Sequence, residues 1–358
     1  MLKRLVYLIH LTMLALFSCS SSENSPPVNP PTDTVPTNLT LSTNVQGIST
    51  NEPYGDGSGV VNLVAQATNA VNYEFIIDDG SAIQSTDGKY QVTFNDKEGI
   101  AIHDIKVIAY SNTNNSINLT KQVTVSFYNG AAPVWADEFF KDGKPDTNNW
   151  TYDIGAGGWG NQELQTYTNS TNNAVVENGI LKIIAKSDGA GGYTSARLKT
   201  ENLKEFKYGT LKVRAKLPGS AGTWPAIWML GNDFDNVGWP RCGEIDIMEQ
   251  TGTNKNEVLA TCHWYDSNSG NTASYGLKTS ISNAASQFHV YEMQWSETFI
   301  RVFVDNVQYY EIALNNNLPF NKNFFLILNI AMGGTLGGTV PAGFTQDTME
   351  IDYVRLYQ

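Results

Sequence analysis

An all-β chain of two sandwich-type domains is what the sequence predicts, on three observations. Apolar residues recur in short runs of alternating polarity; no window sustains a 3.6-residue stripe; and Gly, Asp and Asn punctuate the runs. The 358 residues suffice for roughly two domains, and all eight tryptophans, at 135, 150, 159, 224, 228, 239, 264 and 295, fall in the second. A formal charge of −12 sets up a field that repels phosphate backbones and anionic lipid heads, so nucleic acid is not expected as a partner. Cysteines at 19, 242 and 262 are too few for a disulfide framework and lack the C-x-x-C spacing of a zinc site. The body must be held by its core, with pairing of Cys242 and Cys262 left open.

From the front, Lys3 and Arg4 precede an apolar stretch, residues 5–17, shorter than the ~20 residues a membrane helix needs. Residues 1–18 therefore read as an export signal. Its end, Leu16-Phe17-Ser18-Cys19, resembles the bacterial lipobox, which implies that Cys19 is lipidated and anchors the protein to a membrane. Residues 19–38 carry Ser20-Ser21-Ser22 and Pro26, Pro27, Pro30, Pro31 and Pro36, the composition of an extended tether. A bacterial outer-membrane lipoprotein exposed at the cell surface is the expected address.

Residues 39–129 hold runs around 60–64, 73–77, 90–94, 105–110 and 122–127, with Asp78-Asp79-Gly80 and Asp87-Gly88 between them. That spacing predicts a small β-sandwich. The run Tyr73 to Ser81 is similar to the Y-x-F/W-x-F-G-D-G signature of PKD-type immunoglobulin-like modules, with Asp78 where the signature has glycine. Lacking a histidine cluster or an aromatic platform, the module is read as a spacer in preference to a glycan-binding unit.

Residues 130–358 show the same β periodicity at 181–185, 210–215 and 291–295, then a hairpin over 299–312 turning at Asp305-Asn306. A single jelly-roll sandwich of this length is expected. Its most informative segment is Cys242-Gly243-Glu244-Ile245-Asp246-Ile247-Met248-Glu249. Pleating sends Glu244 and Asp246 to one face and Ile245 to the core, which leaves Glu249 on the wrong side, because five is an odd offset. One extra residue absorbed at Ile247-Met248, a β-bulge, restores Glu249 to the acidic face. Three carboxylates held together repel one another's ionised forms, so the set retains a proton near neutral pH. Such a set suits a glycosidase, in which one carboxyl attacks the anomeric carbon and another protonates the leaving oxygen. It equally suits a solvated strand face or a calcium site.

The motif E-x-D-x-x-E over 244–249 resembles that of glycoside hydrolase family 16. The resemblance extends through Asp137-Glu138-Phe139, residues 158–168, 193–198, Trp224-Pro225-Ala226-Ile227-Trp228-Met229-Leu230 and residues 351–357, in the order of laminarinase-like endo-β-glucanases. It implies a concanavalin-like jelly roll with Glu244 as nucleophile, Asp246 as its assistant and Glu249 as acid/base. It also implies sugar contacts from Asn161, Glu163, Arg197, Trp228, Trp239 and His263. Trp224 alternates onto the same strand face as Trp228, and flat aromatic surfaces suit the C–H faces of a neutral glucan. Family members often hold a structural calcium at positions matched by Glu138, the backbone of Gly179 and Asp352; catalysis needs no cofactor. Relatives often carry a tryptophan near Leu336, absent here. The function implied is retaining hydrolysis of β-1,3-containing glucans by a monomer whose partners are the polysaccharide and, through Cys19 alone, the membrane. The alternatives are a non-catalytic glycan-binding surface protein, a transglycosylase, or a galactan hydrolase, the last disfavoured by the acidic chain.

Overall fold

The computed structural model describes residues 34–50 and 52–358; the signal segment, Cys19 and residues 19–33 lie outside them. The first unit is two antiparallel sheets: Thr37–Val45, Val60–Thr68 and Lys89–Thr93 in one, and Ile83–Ser85, Asn72–Ile77, Gly99–Tyr110 and Ser116–Phe127 in the other. The first strand begins two residues ahead of the expected boundary at 39. Alternation does the work: Val61, Leu63, Phe75, Ile105 and Val107 are buried between the sheets while their neighbours face out. Asp78, standing where the PKD-type signature has glycine, takes a left-handed turn conformation at φ 47°. Its side chain repays that strain by accepting the Asp104 amide at 2.8 Å and lying 2.6 Å from His103 Nδ1.

The second unit is a jelly roll of a ten-stranded and an eight-stranded sheet. The ten-stranded sheet carries Ile180–Ser187, Gln346–Tyr357, Gly209–Lys216, His289–Trp295, Phe299–Val304 and Val307–Ala313 side by side. The last two form the expected hairpin. Asp305 and Asn306, both at positive φ, make the two-residue turn whose twist matches the flanking strands. The eight-stranded sheet runs, in order, Asn271–Ser280, Glu257–Asp266, Glu244–Gln250, Thr223–Gly231, Phe324–Met332, Arg197–Lys199 and Thr151–Asp153, with Glu205–Phe206 also on Phe324–Met332. Leu181, Ile183, Leu211, Val213, Ile227, Met229, Ile245 and Leu328 pack between the sheets, each contributing on the order of 1.5–3 kcal/mol of burial. Cys242 and Cys262 are both buried free thiols. Cys262 sits in that central core opposite Ile245, whereas Cys242 belongs to a separate small cluster with Leu230, Phe325 and Ile327.

The units meet at Arg355. Its guanidinium grips Glu138 with Nε at 2.7 Å and Nη2 at 3.0 Å, and reaches Glu98 of the first unit with Nη1 at 3.2 Å. Tyr128 donates its hydroxyl to Glu138, and Arg355 stacks on Tyr353 at 3.8 Å. Arg355 and Glu138 are buried, and removing one member of such a pair strands the other charge. Arg355→Met is therefore expected to cost about 3–5 kcal/mol of stability, read as a lower denaturant midpoint.

Candidate active site

The acid strand, Glu244–Gln250, carries the bulge that parity demands. Opposite Thr223–Gly231, Trp228 pairs with Asp246, Ile227 with Met248 and Ala226 with Glu249, so Ile247 has no partner. Against Glu257–Asp266 the same slip falls between the Asp246–Thr261 and Glu249–Leu259 pairs. Ile247 and Met248, adjacent in sequence, are both wholly buried in the core, and the strand resumes with Glu249 on the face of Glu244 and Asp246. A bulge leaves backbone groups outside the ladder; here the Tyr309 hydroxyl, from the opposite sheet, donates to Ile247 O at 3.1 Å.

All three acids line one cavity of about 650 Å³. Burial, with Asp246 repulsion second, pushes Glu244 well above the ordinary carboxylate range, opposed by His263 and by a hydrogen bond from Trp239. Asp246 is likewise raised well above its usual value by burial and then by Glu249. Glu249 is raised by burial and held back by Trp224, whose Nε1–H donates to Glu249 Oε1 at 2.9 Å. One Asp246 oxygen is buried without an aligned hydrogen bond, 3.3 Å from His263 Nε2, which stands 3.8 Å from Glu244. The arrangement stores protons beside a carboxylate that must ionise to attack, the division of labour that acid-assisted displacement needs.

Every sugar-site residue expected from the sequence lines this cavity: Asn161, Glu163, Arg197, Trp224, Trp228, Trp239 and His263. Trp224, Ala226, Trp228 and Leu230 point into it while Ile227 and Met229 point into the core. Trp224 is largely buried and serves Glu249, whereas Trp239 is 49% exposed and offers its ring to a ligand. Glu163 accepts from Gln165, Tyr167 and Asn161 at 2.6, 3.2 and 3.3 Å, so its carboxylate is fixed before substrate arrives. Arg197 lies between the rings of Trp159 and Trp228, 4.9 and 4.7 Å from their centroids, and 2.9 Å from Asp153.

Sequence reasoning missed Trp159, Asp153, Lys199, Glu201 and Asn329, all of which line the cavity. Asn329 was detectable: it is the single polar residue in the otherwise apolar Phe324–Met332, and it accepts Trp228 Nε1–H at 2.7 Å. Leu336 lines the cavity as well.

The carboxylates expected at a calcium site are paired with guanidinium groups. Both Glu138 oxygens are clasped by Arg355, and Asp352 is bound by Arg214 Nη1 at 2.6 Å, so guanidinium groups already balance both carboxylates. Gly179 is a left-handed turn residue between Ala174–Glu177 and Ile180–Ser187. Among the described residues, Glu244, Asp246 and His263 bring three donor atoms within 4.8 Å of one another. Two carboxylates and a nitrogen are a poor match to the six to eight oxygens calcium takes.

Comparison with known proteins agrees with this geometry. The pattern of the Glycosyl hydrolases family 16 matches residues 161–355. A beta-glucanase of Rhodothermus marinus is 42% identical over 243 residues, covering 63% of this chain and 84% of that protein. Among solved structures, LamAcat from Zobellia galactanivorans is 45% identical, with a TM-score of 0.59 over 63% of this chain and 98% of its own. A LamA point variant from the same organism, solved with laminaritriose and laminaritetraose, aligns with the same identity and TM-score over 63% of this chain and 99% of its own. Three acids gathered by a bulge, an aromatic cleft around them and these likenesses together make the chain a member of glycosyl hydrolase family 16.

Proposed function

We propose that this protein is a retaining endo-β-glucanase cutting β-1,3-containing glucans, laminarin or mixed-linkage β-1,3-1,4-glucan. The observation that carries the reading is the bulge that turns Glu249 onto the cleft face beside Glu244 and Asp246, in a cavity walled by tryptophans. Glu249 gives its proton to the glycosidic oxygen as that bond breaks, and Glu244 forms a bond to the anomeric carbon. Water, losing its proton to Glu249, then releases the sugar with its configuration retained. Asp246 shares the proton load and tunes Glu244. The names of the relatives, a beta-glucanase and a protein crystallised with laminari-oligosaccharides, support the substrate class.

The address is part of the same proposal. Leu16-Phe17-Ser18-Cys19 and the Pro-rich run behind it support a lipidated, surface-exposed outer-membrane enzyme, with residues 39–129 as a PKD-like spacer. The test is product analysis. Proton spectra of fresh digests are expected to show the β-anomer first, with internal cuts in laminarin and barley β-glucan and none in agarose. First release of the α-anomer, or preferential cleavage of agarose, overturns the reading.

A further inference from the structure

The β-ladder beside the general acid has a gap. Thr223–Gly231 pairs with the acid strand only as far as Ala226 and Glu249. The next residue, Pro225, has no N–H to offer a ladder, yet Trp224, which holds Glu249, stands one residue beyond it. Backbone pairing therefore stops where the geometry of the acid is decided.

Lys255 spans that gap. Its Nζ donates to Thr223 O at 2.8 Å, Thr223 Oγ1 at 2.7 Å and Gln250 Oε1 at 3.0 Å. Thr223 immediately precedes Trp224, and Gln250 immediately follows Glu249. Both are wholly buried, and Gln250 Nε2 donates back to Lys255 O at 2.9 Å. Three acceptors match the three hydrogens of an ammonium, and all three are uncharged. Burial draws the lysine down to about 7 against the attraction of Asp347, the charge that acts on it. A side chain that only filled space would not incur that cost.

We infer that Lys255 is a positioning residue for Glu249: by clamping Thr223 to Gln250 it keeps the Trp224 indole on the carboxyl and the carboxyl on the glycosidic oxygen. The inference rests on Glu249 being the acid/base. Lys255 touches no substrate; its effect passes through Trp224.

Leaving-group dependence separates positioning from mere support. Lys255→Met and Lys255→Arg are compared with the parent on laminarin and on 2,4-dinitrophenyl β-laminaribioside, whose leaving group departs without a proton. Lys255→Met is expected to lower kcat on laminarin about tenfold with KM within about twofold, a part of the contribution of a well-placed general acid. On the dinitrophenyl substrate kcat/KM changes less than about twofold, and Lys255→Arg restores most of the laminarin rate. Equal losses on both substrates, or a lowered melting temperature with unchanged kcat, overturn the inference. Should Lys255→Met fail to fold, Thr223→Val removes the hydroxyl that accepts from Lys255 and donates to Ser220 O at 2.8 Å, and is expected to show the same dependence in smaller size; its absence is equally fatal. Glu249→Gln run alongside tells the two readings apart. If that variant still hydrolyses laminarin, the acid assignment and the inference fall together; if it is inactive while Lys255→Met shows no leaving-group dependence, only the lysine's role falls.

Discussion

Glu244→Ser is expected to abolish hydrolysis, lowering kcat on laminarin by at least about 10⁴-fold, the scale seen when a covalent nucleophile is deleted. No neighbour can substitute. Asp246 lies on the same face but is buried, and burial and Glu249 disfavour its charged form; Glu249 is committed to Trp224. Binding should survive, because Trp228, Arg197 and Glu163 are held by Asn329, Asp153 and their own neighbours and only Trp239 loses a hydrogen bond with Glu244. Calorimetry with laminaritetraose is expected to give a Kd within a few-fold of the KM-scale affinity of the parent, with no reducing ends released. Residual hydrolysis within tenfold of the parent would remove Glu244 from the mechanism.

Glu249→Gln is the second large effect, and it depends on the substrate. On laminarin a loss of about 10²–10⁴-fold is expected, the contribution of a positioned proton donor. On a dinitrophenyl glycoside the first step needs no proton, so kcat/KM should fall far less, while turnover stalls because no base activates water. The pH profile carries a sign. Burial raises Glu249, so it keeps its proton to higher pH than an ordinary carboxyl; as pH climbs through that raised value the acid is lost and kcat/KM on laminarin falls. For the dinitrophenyl substrate that alkaline limb should be absent. A limb that persists with the activated substrate belongs to some other group.

Much of this was legible from residue order. Period-two alternation marked 60–64 and 181–185, which lie within the strands Val60–Thr68 and Ile180–Ser187, and the bulge followed from counting faces between Glu244 and Glu249. What escaped was whatever depends on a partner distant in the chain. Tyr309 closes the bulge from 62 residues away, and Asn329 meets Trp228 from 101 residues away. Neither has a local signature beyond a tyrosine in a hairpin and a polar residue in an apolar run. The guanidinium partners of the expected calcium residues escaped for the same reason: Arg355 lies 217 residues from Glu138, and matched motifs say nothing of which cation a carboxylate meets. Lys255, in a polar turn between strands, resembled any solvated lysine until its three acceptors were placed around it.

The two buried free thiols have a consequence for handling and habitat. Burial, the larger cause for each, raises Cys242 to about 11 and Cys262 well above its usual value, so neither supplies the thiolate that oxidants and alkylating reagents attack. The folded catalytic unit is thus expected to show the same activity with or without reductant. Thiol reagents should find Cys242 and Cys262 only once the sandwich has come apart, which turns these residues into a built-in reporter of unfolding.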